Sequence, residues 1–203
     1  MVVCASALKT GLVGANLKCS RHCCLKSDSL PMEKNMSSMM KAAVFVEPGR
    51  IEIIDKRIPD VGPNDALVRI TTTTICGTDI HILKGEYPVA KGLTIGHEPV
   101  GIIEKLGSAV QGYTEGQRVI AGAICPNFNS YAAQDGEPSQ DGSYLVASGR
   151  CGCHGLKATA GWRFGNLIDG TQAEYVLVPD AQGNLAPVPE HILGLCAVNQ
   201  IAK

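Results

Sequence analysis

The chain has 203 residues, a formal net charge of −1, 45% hydrophobic residues and 18% charged residues, a composition typical of an ordinary globular protein. This length fits one domain with appendages, and the near-zero charge without a dense Lys/Arg tract argues against nucleic acid or an anionic membrane as a partner. Because Gly, Pro or charged residues interrupt every apolar run well before about 18 residues, no membrane span is predicted.

Residues 1–40 differ in composition from the rest of the chain. Four of the nine cysteines lie here, and no acidic residue precedes Asp28. The odd cysteine count and the lack of a signal-peptide pattern favour reduced thiols over a disulfide framework. Two interpretations stay open: a poorly ordered upstream extension before an internal start at Met40, or a basic, acid-poor organelle transit peptide. The first predicts a cytoplasmic protein, and the second a mitochondrial or other organellar one.

From residue 41 to residue 190 the pattern is that of short strands. Runs rich in β-branched residues are separated by turn residues, at intervals too short for long helices. These runs are 51–54, 66–75, 100–103 and 173–178. They predict a mainly β fold with short helices, in which an antiparallel sheet folds over or partly closes into a barrel. Between residues 125 and 155 polar and glycine residues dominate, which predicts a long loop of the kind that often carries function.

The run Cys-Gly-Thr-Asp-Ile-His occupies residues 76–81, directly after one of these strands. Thr78 and His81 are three residues apart, so on a helical turn they share a face. A hydroxyl and an imidazole in series form a route for a proton to solvent, because histidine titrates near neutral pH. The alternative is a surface histidine that follows a strand and has no role.

A second motif, Gly-His-Glu-Pro-Val-Gly, occupies residues 96–101 and places His97 twenty-one residues after Cys76. A thiolate and an imidazole are ligands that zinc prefers. Taken alone, one cysteine and one histidine at this separation more often have unrelated roles. Cys76 and His97 are therefore candidate zinc ligands because of the two motifs in which they lie.

Together the two motifs resemble the signature of the zinc-containing medium-chain alcohol dehydrogenases, over residues 40–190. The resemblance implies a GroES-like catalytic domain in which Cys76 and His97 hold zinc and leave a position open for the alcohol oxygen. It further implies that Thr78 contacts the alcohol and that His81 passes the proton toward solvent. NAD(P) is the implied hydride acceptor, and a small alcohol or ketone is the implied partner.

Glu98 is open to two interpretations. Adjacent side chains of a regular strand point to opposite faces, so His97 and Glu98 would not both reach one metal ion. Gly96 relaxes that constraint. The resemblance implies a carboxylate beside the zinc, either as a group that supports the ligands or as an occasional ligand itself.

Trp162, the one tryptophan of the chain, lies in the run Ala-Gly-Trp-Arg-Phe-Gly-Asn at residues 160–166. This segment is similar to bacterial-type secondary alcohol dehydrogenases, in which the tryptophan helps to wall the substrate pocket. The similarity implies small secondary alcohols as substrates. The alternative is that a lone large aromatic residue simply packs in the core.

The cysteines of the predicted loop depart from the family pattern. Many relatives bind a second, structural zinc through four closely spaced cysteines, whereas here Cys125 stands alone and Cys151, Cys153 and His154 follow much later. A Cys-x-Cys pair is tighter than the usual spacing of zinc ligands. Free or redox-active thiols are therefore predicted here in place of a structural zinc site.

The end of the sequence departs further. In relatives a third zinc ligand and then a Rossmann domain follow the segment that ends here at Glu190, whereas residues 191–203 form a short divergent tail. No Gly-x-Gly-x-x-Gly dinucleotide motif occurs in the sequence. The sequence therefore predicts no Rossmann domain and no cofactor-binding residues.

The leading hypothesis is the zinc-binding catalytic domain of an NAD(P)-dependent alcohol dehydrogenase. Such a domain alone is expected to be inactive, and to bind zinc more weakly than a complete three-ligand site. The competing hypothesis is a non-catalytic zinc-binding or interaction module, or a truncated product without function. Loss of a cofactor domain also predicts exposed apolar surface and self-association through it.

Overall fold

Two antiparallel sheets and a few short helices form the described part of the chain, which in this computed structural model comprises residues 38–141 and 162–192. These residues belong to one unit, Met36–Lys203. The remaining segments, with the predicted extension, the cysteine pair at positions 151 and 153 and most of the tail, lie outside the described residues. None of the described helices has the length and apolar character needed to cross a membrane.

The described elements are mostly short strands. The strands are β1 (Met39–Glu47), β2 (Arg50–Arg57), β3 (Ala66–Thr73), β4 (Pro99–Leu106), β5 (Arg118–Ala121), β6 (Tyr175–Val178) and β7 (Leu185–Pro187). The helices are α1 (Gly77–Leu83), α2 (Tyr131–Gln134) and α3 (Ala181–Asn184), with a 3-10 turn at Pro138–Gln140. The predicted mainly β, antiparallel fold with short helices is confirmed. Over the described ranges the strands form two sheets and do not close into one barrel.

β1 and β2 form a two-stranded antiparallel sheet. The tight connection between them uses Gly49 at φ +84°, a backbone conformation that glycine adopts without a steric cost. The segment before the second motif runs alongside β1: Phe45 N–H donates to Leu93 O at 2.9 Å, and Ile95 N–H donates to Ala43 O at 3.0 Å. These bonds fix the backbone that leads into His97.

β6, β3, β4, β5 and β7 form, in that order, a five-stranded antiparallel sheet. One face of it packs on an apolar core of buried side chains, which include Ala66, Val68, Ile103, Val119, Phe164, Val176 and Val178. The strands β3 and β4 pair centrally, and Thr73 at the end of β3 lies opposite Pro99 at the start of β4. This register brings the residues that follow β3 next to the residues that precede β4.

The first part of the predicted long loop, residues 125–141, is largely irregular. It contains only α2 and the 3-10 turn, and Ser130 caps α2 because its Oγ accepts a hydrogen bond from Ala133 N–H at 3.2 Å. The buried Asp141 carboxylate accepts from Asn127 N–H at 2.7 Å and so ties the two ends of this stretch together. The rest of the predicted loop lies outside the described residues.

Candidate metal centre

Three potential ligand atoms converge where β3 ends and β4 begins. A sulfur of Cys76, a ring nitrogen of His97 and a carboxylate oxygen of Glu98 all lie within 4.8 Å of one another. Cys76 is half-buried, whereas His97 and Glu98 are only 7% and 6% exposed. Among the described residues this is the one group of three histidine, cysteine or acidic side chains arranged to hold a metal ion.

The backbone at Gly96 explains how adjacent residues reach the same site. Gly96 has φ +95°, in the left-handed region that favours glycine. Alternation of side chains applies to a regular strand, and β4 begins only at Pro99. His97 and Glu98 are therefore free of the strand geometry that would have pointed them apart, and both donor atoms face Cys76.

Two glycines, Gly165 and Gly170, let the chain pass closely around Gly96. A Cβ atom on Gly170 would lie 2.3 Å from Gly96 O and 2.5 Å from Ile95 O, and one on Gly165 would lie 2.9 Å from Gly96 N. Thr171 N–H also donates to Gly96 O at 3.0 Å. Residues 165–171 thus pack closely against the backbone that presents His97 and Glu98 and hold it in place.

Asp79 is a site residue that the sequence analysis missed. It is 3% exposed, and its Oδ2 accepts from Cys76 N–H at 2.8 Å and from Gln172 Nε2 at 3.1 Å. Its Oδ1 lies 3.9 Å from His97 Nδ1, and both of these buried atoms lack a hydrogen-bond partner within the described residues. Burial raises the pKa of this carboxyl, while the Cys76 N–H bond and the charge on His97 act in the opposite direction.

Asp79 matters because metal-bound histidines usually direct their second ring nitrogen to a carboxylate, which fixes the ring. A signal for it was present in the sequence. An acidic residue three positions after the N-cap residue, which directly precedes a helix, can accept a hydrogen bond from the N–H of that N-cap residue, and Asp79 stands in that relation to Cys76.

Thr78 and His81 both lie on α1, so the predicted helical turn is present. Thr78 Oγ is 3.7 Å from Cys76 Sγ. His81 is exposed, and its Nδ1 hydrogen-bonds the carboxylate of Glu86, a contact that the sequence analysis did not foresee. That bond lowers the pKa of the Glu86 carboxyl.

Trp162 lies between the core and the candidate site. Its ring contacts His97 edge-on, with centroids 5.5 Å apart, and contacts the exposed ring of Tyr87 at 6.2 Å. It also packs against a cluster of buried side chains that includes Phe45 and Ile82. The packing interpretation of Trp162 thus describes part of its surroundings, and its role as a wall of the substrate pocket stays a prediction. Tyr87 belongs beside it and had not been singled out.

Apolar side chains beside the site are exposed. Ile75, next to Cys76, is 77% exposed, and Ile80 and Tyr87 are 44% and 43% exposed. Self-association of the chain stays a prediction.

Cys125 lies apart from this site. It is a free thiol with no exposed surface, and its backbone is left-handed, with φ 50°. Burial raises the pKa of the thiol to about 12, with only a partly opposing effect from Arg163. The prediction of free thiols in this loop holds for Cys125, but its burial argues against redox activity. The other loop cysteines, Cys151 and Cys153, and His154 lie outside the described residues.

Comparisons with known families and with individual proteins all point to the same family. Residues 62–190 match the model of the alcohol dehydrogenase GroES-like domain family. An alcohol dehydrogenase of Cupriavidus necator is 87% identical over 155 residues, which are 76% of this chain and 42% of that protein. An NADP-dependent isopropanol dehydrogenase of Thermoanaerobacter brockii is 33% identical over 75% of this chain and 40% of its own length. The chain thus spans about two-fifths of the relatives it matches.

The solved structures to which this chain is similar are also dehydrogenases. Zinc dependent alcohol dehydrogenase 2 from Streptococcus pneumonia superposes with a TM-score of 0.64 at 36% identity, over 78% of this chain and 41% of that one. A putative zinc-binding dehydrogenase from Sinorhizobium meliloti 1021, bound to NADP, gives a TM-score of 0.61 at 32% identity, over 79% and 42% of the two chains. The antiparallel β architecture described above is the fold these proteins share with the matched region.

Proposed function

The chain belongs to the alcohol dehydrogenase GroES-like domain family, and from that premise we propose that residues 41–190 are the zinc-binding catalytic domain of an NAD(P)-dependent alcohol dehydrogenase. The observation that carries this proposal is the convergence of Cys76, His97 and Glu98 within 4.8 Å. A site of this kind acts on small alcohols, in the direction of the ketone or aldehyde or in reverse.

The donor set fits zinc. Sulfur, imidazole nitrogen and carboxylate oxygen are the protein ligands of this ion, and catalytic sites combine three of them with one open position. His97 Nδ1 and Asp79 Oδ1, which have no hydrogen-bond partner within the described part of the chain, face each other at 3.9 Å, and a carboxylate in this position orients a metal-binding imidazole. Bound zinc would supply a Lewis acid that lowers the pKa of an alcohol hydroxyl, and NAD(P) would accept the hydride.

The remaining residues have roles that follow from their positions. Thr78, whose hydroxyl lies beside Cys76, would accept the proton of the alcohol while its own hydroxyl proton moves on toward His81. His81, exposed on the same helix and hydrogen-bonded to Glu86, would release the proton to solvent. Trp162 and Tyr87 limit the space beside His97. The isopropanol dehydrogenases among the relatives support small secondary alcohols as substrates.

Replacing Cys76 by Ser is expected to remove zinc binding from the chain, because it deletes the thiolate from a site of three donors. Replacing Cys151 or Cys153 is expected to leave zinc binding nearly intact. Competition against a chelator of known affinity measures all three variants. Retention of zinc by Cys76→Ser, together with its loss in the Cys151 and Cys153 variants, would place the metal in the loop and refute the assignment.

A non-catalytic zinc module would bind the metal without responding to alcohol. The chain loaded with Co²⁺ in place of zinc is expected to change its visible absorption spectrum as 2-propanol is added, because the alcohol oxygen enters the open metal position. Cys76→Ser treated in the same way is the control for cobalt bound elsewhere. A wild-type spectrum that stays constant up to denaturing alcohol concentrations would favour the non-catalytic alternative.

A further inference from the structure

The two buried carboxylates of the site are held by neutral hydrogen-bond donors. Asp79 and Glu98 are 3% and 6% exposed, and over the described ranges no lysine or arginine forms an ion pair with either of them. Gln172 donates to Asp79, and Thr74 Oγ donates to Glu98 Oε2. We propose that Gln172 and Thr74 are positioning residues of the metal centre: Gln172 orients Asp79 toward His97, and Thr74 orients Glu98 toward the bound cation. This inference rests on the proposed function.

The backbone of Gln172 is held in place by two hydrogen bonds of its own. Its N–H donates to Ile95 O at 2.9 Å, and its carbonyl accepts from Ala43 N–H at 2.8 Å. From this anchored backbone, Nε2 reaches Asp79 Oδ2 at 3.1 Å and Thr74 O at 3.4 Å. The amide therefore joins three segments of chain, and it turns the second oxygen of Asp79 toward His97.

Thr74 holds the other carboxylate. It follows the last residue of β3, and its backbone carbonyl receives Gln172 while its hydroxyl donates to Glu98. The bond uses Oε2 and so leaves the second carboxylate oxygen of Glu98 to a cation. Thr74 and Gln172 thus form one connected network, through which the orientations of Asp79 and Glu98 are set together.

Neutral donors suit a cation site for an electrostatic reason. A lysine or arginine in the same place would neutralise the carboxylate and repel a divalent ion across a short distance in a medium of low dielectric constant. An amide and a hydroxyl satisfy the buried oxygens, which would otherwise carry a desolvation cost, and they leave the negative charge available. The network therefore orients both carboxylates without weakening their attraction for the metal.

Two nearly isosteric substitutions test the inference. Gln172→Met and Thr74→Val remove the donor groups and keep the approximate side-chain shape. Each is expected to weaken zinc binding about 10-fold, the lower end of the range for partners of metal ligands, and to shift the visible absorption bands of bound Co²⁺. Thr74→Ser, which keeps the hydroxyl, is expected to retain wild-type affinity. Gln134→Met is the matched control, because Gln134 is the exposed last residue of α2 and its amide donates to Asn129 O and not to a carboxylate of the site.

The thermal midpoint of the metal-free protein separates positioning from general stability. It is expected to stay close to wild type in Thr74→Val while zinc affinity falls. Wild-type affinity and an unchanged cobalt spectrum in both Gln172→Met and Thr74→Val would overturn the inference alone. So would a metal-free midpoint that falls in step with affinity in both variants. Failure of the wild-type chain to bind zinc would instead overturn the proposed function, and this inference with it.

Discussion

Cys125 is expected to react with iodoacetamide at pH 8 at least about 1,000-fold more slowly than an exposed cysteine. The thiolate is the reactive form, and burial raises the pKa of this thiol from 9.0 to about 12, so its thiolate fraction falls by roughly three powers of ten. The absence of exposed surface at Cys125 slows the reaction further. Peptide mapping by mass spectrometry, with the denatured chain as the control, measures the rate at this residue. Rapid labelling of Cys125 in the folded chain would refute its burial.

The same pKa shift makes a prediction about alkaline stability. A group with a folded-state pKa above its unfolded value stabilises the fold below the unfolded pKa, and this contribution is lost as pH rises through the folded value. For Cys125 the window runs from about pH 9 to about pH 12, with a maximum effect of roughly 4 kcal/mol. Cys125→Ala is expected to flatten this part of the curve of unfolding free energy against pH. An unchanged slope in the variant would show that other groups cause the alkaline loss.

Strands β2, β3, β4 and β6 were predictable from the sequence, β6 through the run at 173–178, and β5 and β7 were not. The β-branched runs at 51–54 and 100–103 fall within β2 and β4, and the run at 66–75 corresponds to β3. β5 and β7 have only four and three residues, which is too short for a pattern of alternation to stand out. Their existence depends on pairing with distant partners, as when Val119 of β5 pairs with Pro187 of β7.

In the candidate site too, the residues that lie in local motifs could be predicted, and those that depend on long-range contacts could not. Cys76 and His97 were identifiable because each lies in a short motif of known chemistry. Glu98 stayed ambiguous because its direction depends on the φ angle of Gly96, which residue type alone does not fix. Gln172 was missed because it meets Asp79 across 93 residues of sequence. Such a contact forms because segments distant in the sequence pair with β1. A local sequence pattern therefore cannot predict it.

Gly170→Ala is expected to destabilise the domain by about 3 kcal/mol, at the upper end of the usual cost of overpacking. The added Cβ would lie 2.3 Å from Gly96 O and 2.5 Å from Ile95 O, and backbone atoms cannot rotate away as the end of a side chain can. For a chain of this size that cost corresponds to a fall of roughly 6–12 °C in the thermal midpoint. Gly122→Ala is the matched control, because a Cβ there meets no atom within 4 Å.

The same substitution is expected to weaken zinc binding, because relief of the clash moves the Ile95–Gly96 backbone that presents His97 and Glu98. Thermal unfolding of the metal-free chain and chelator competition with zinc report the two effects separately. A midpoint equal to that of Gly122→Ala would show that the loop through Gly170 does not clamp Gly96. A lowered midpoint with unchanged zinc affinity would show that the clamp stabilises the fold but does not set the positions of the metal ligands.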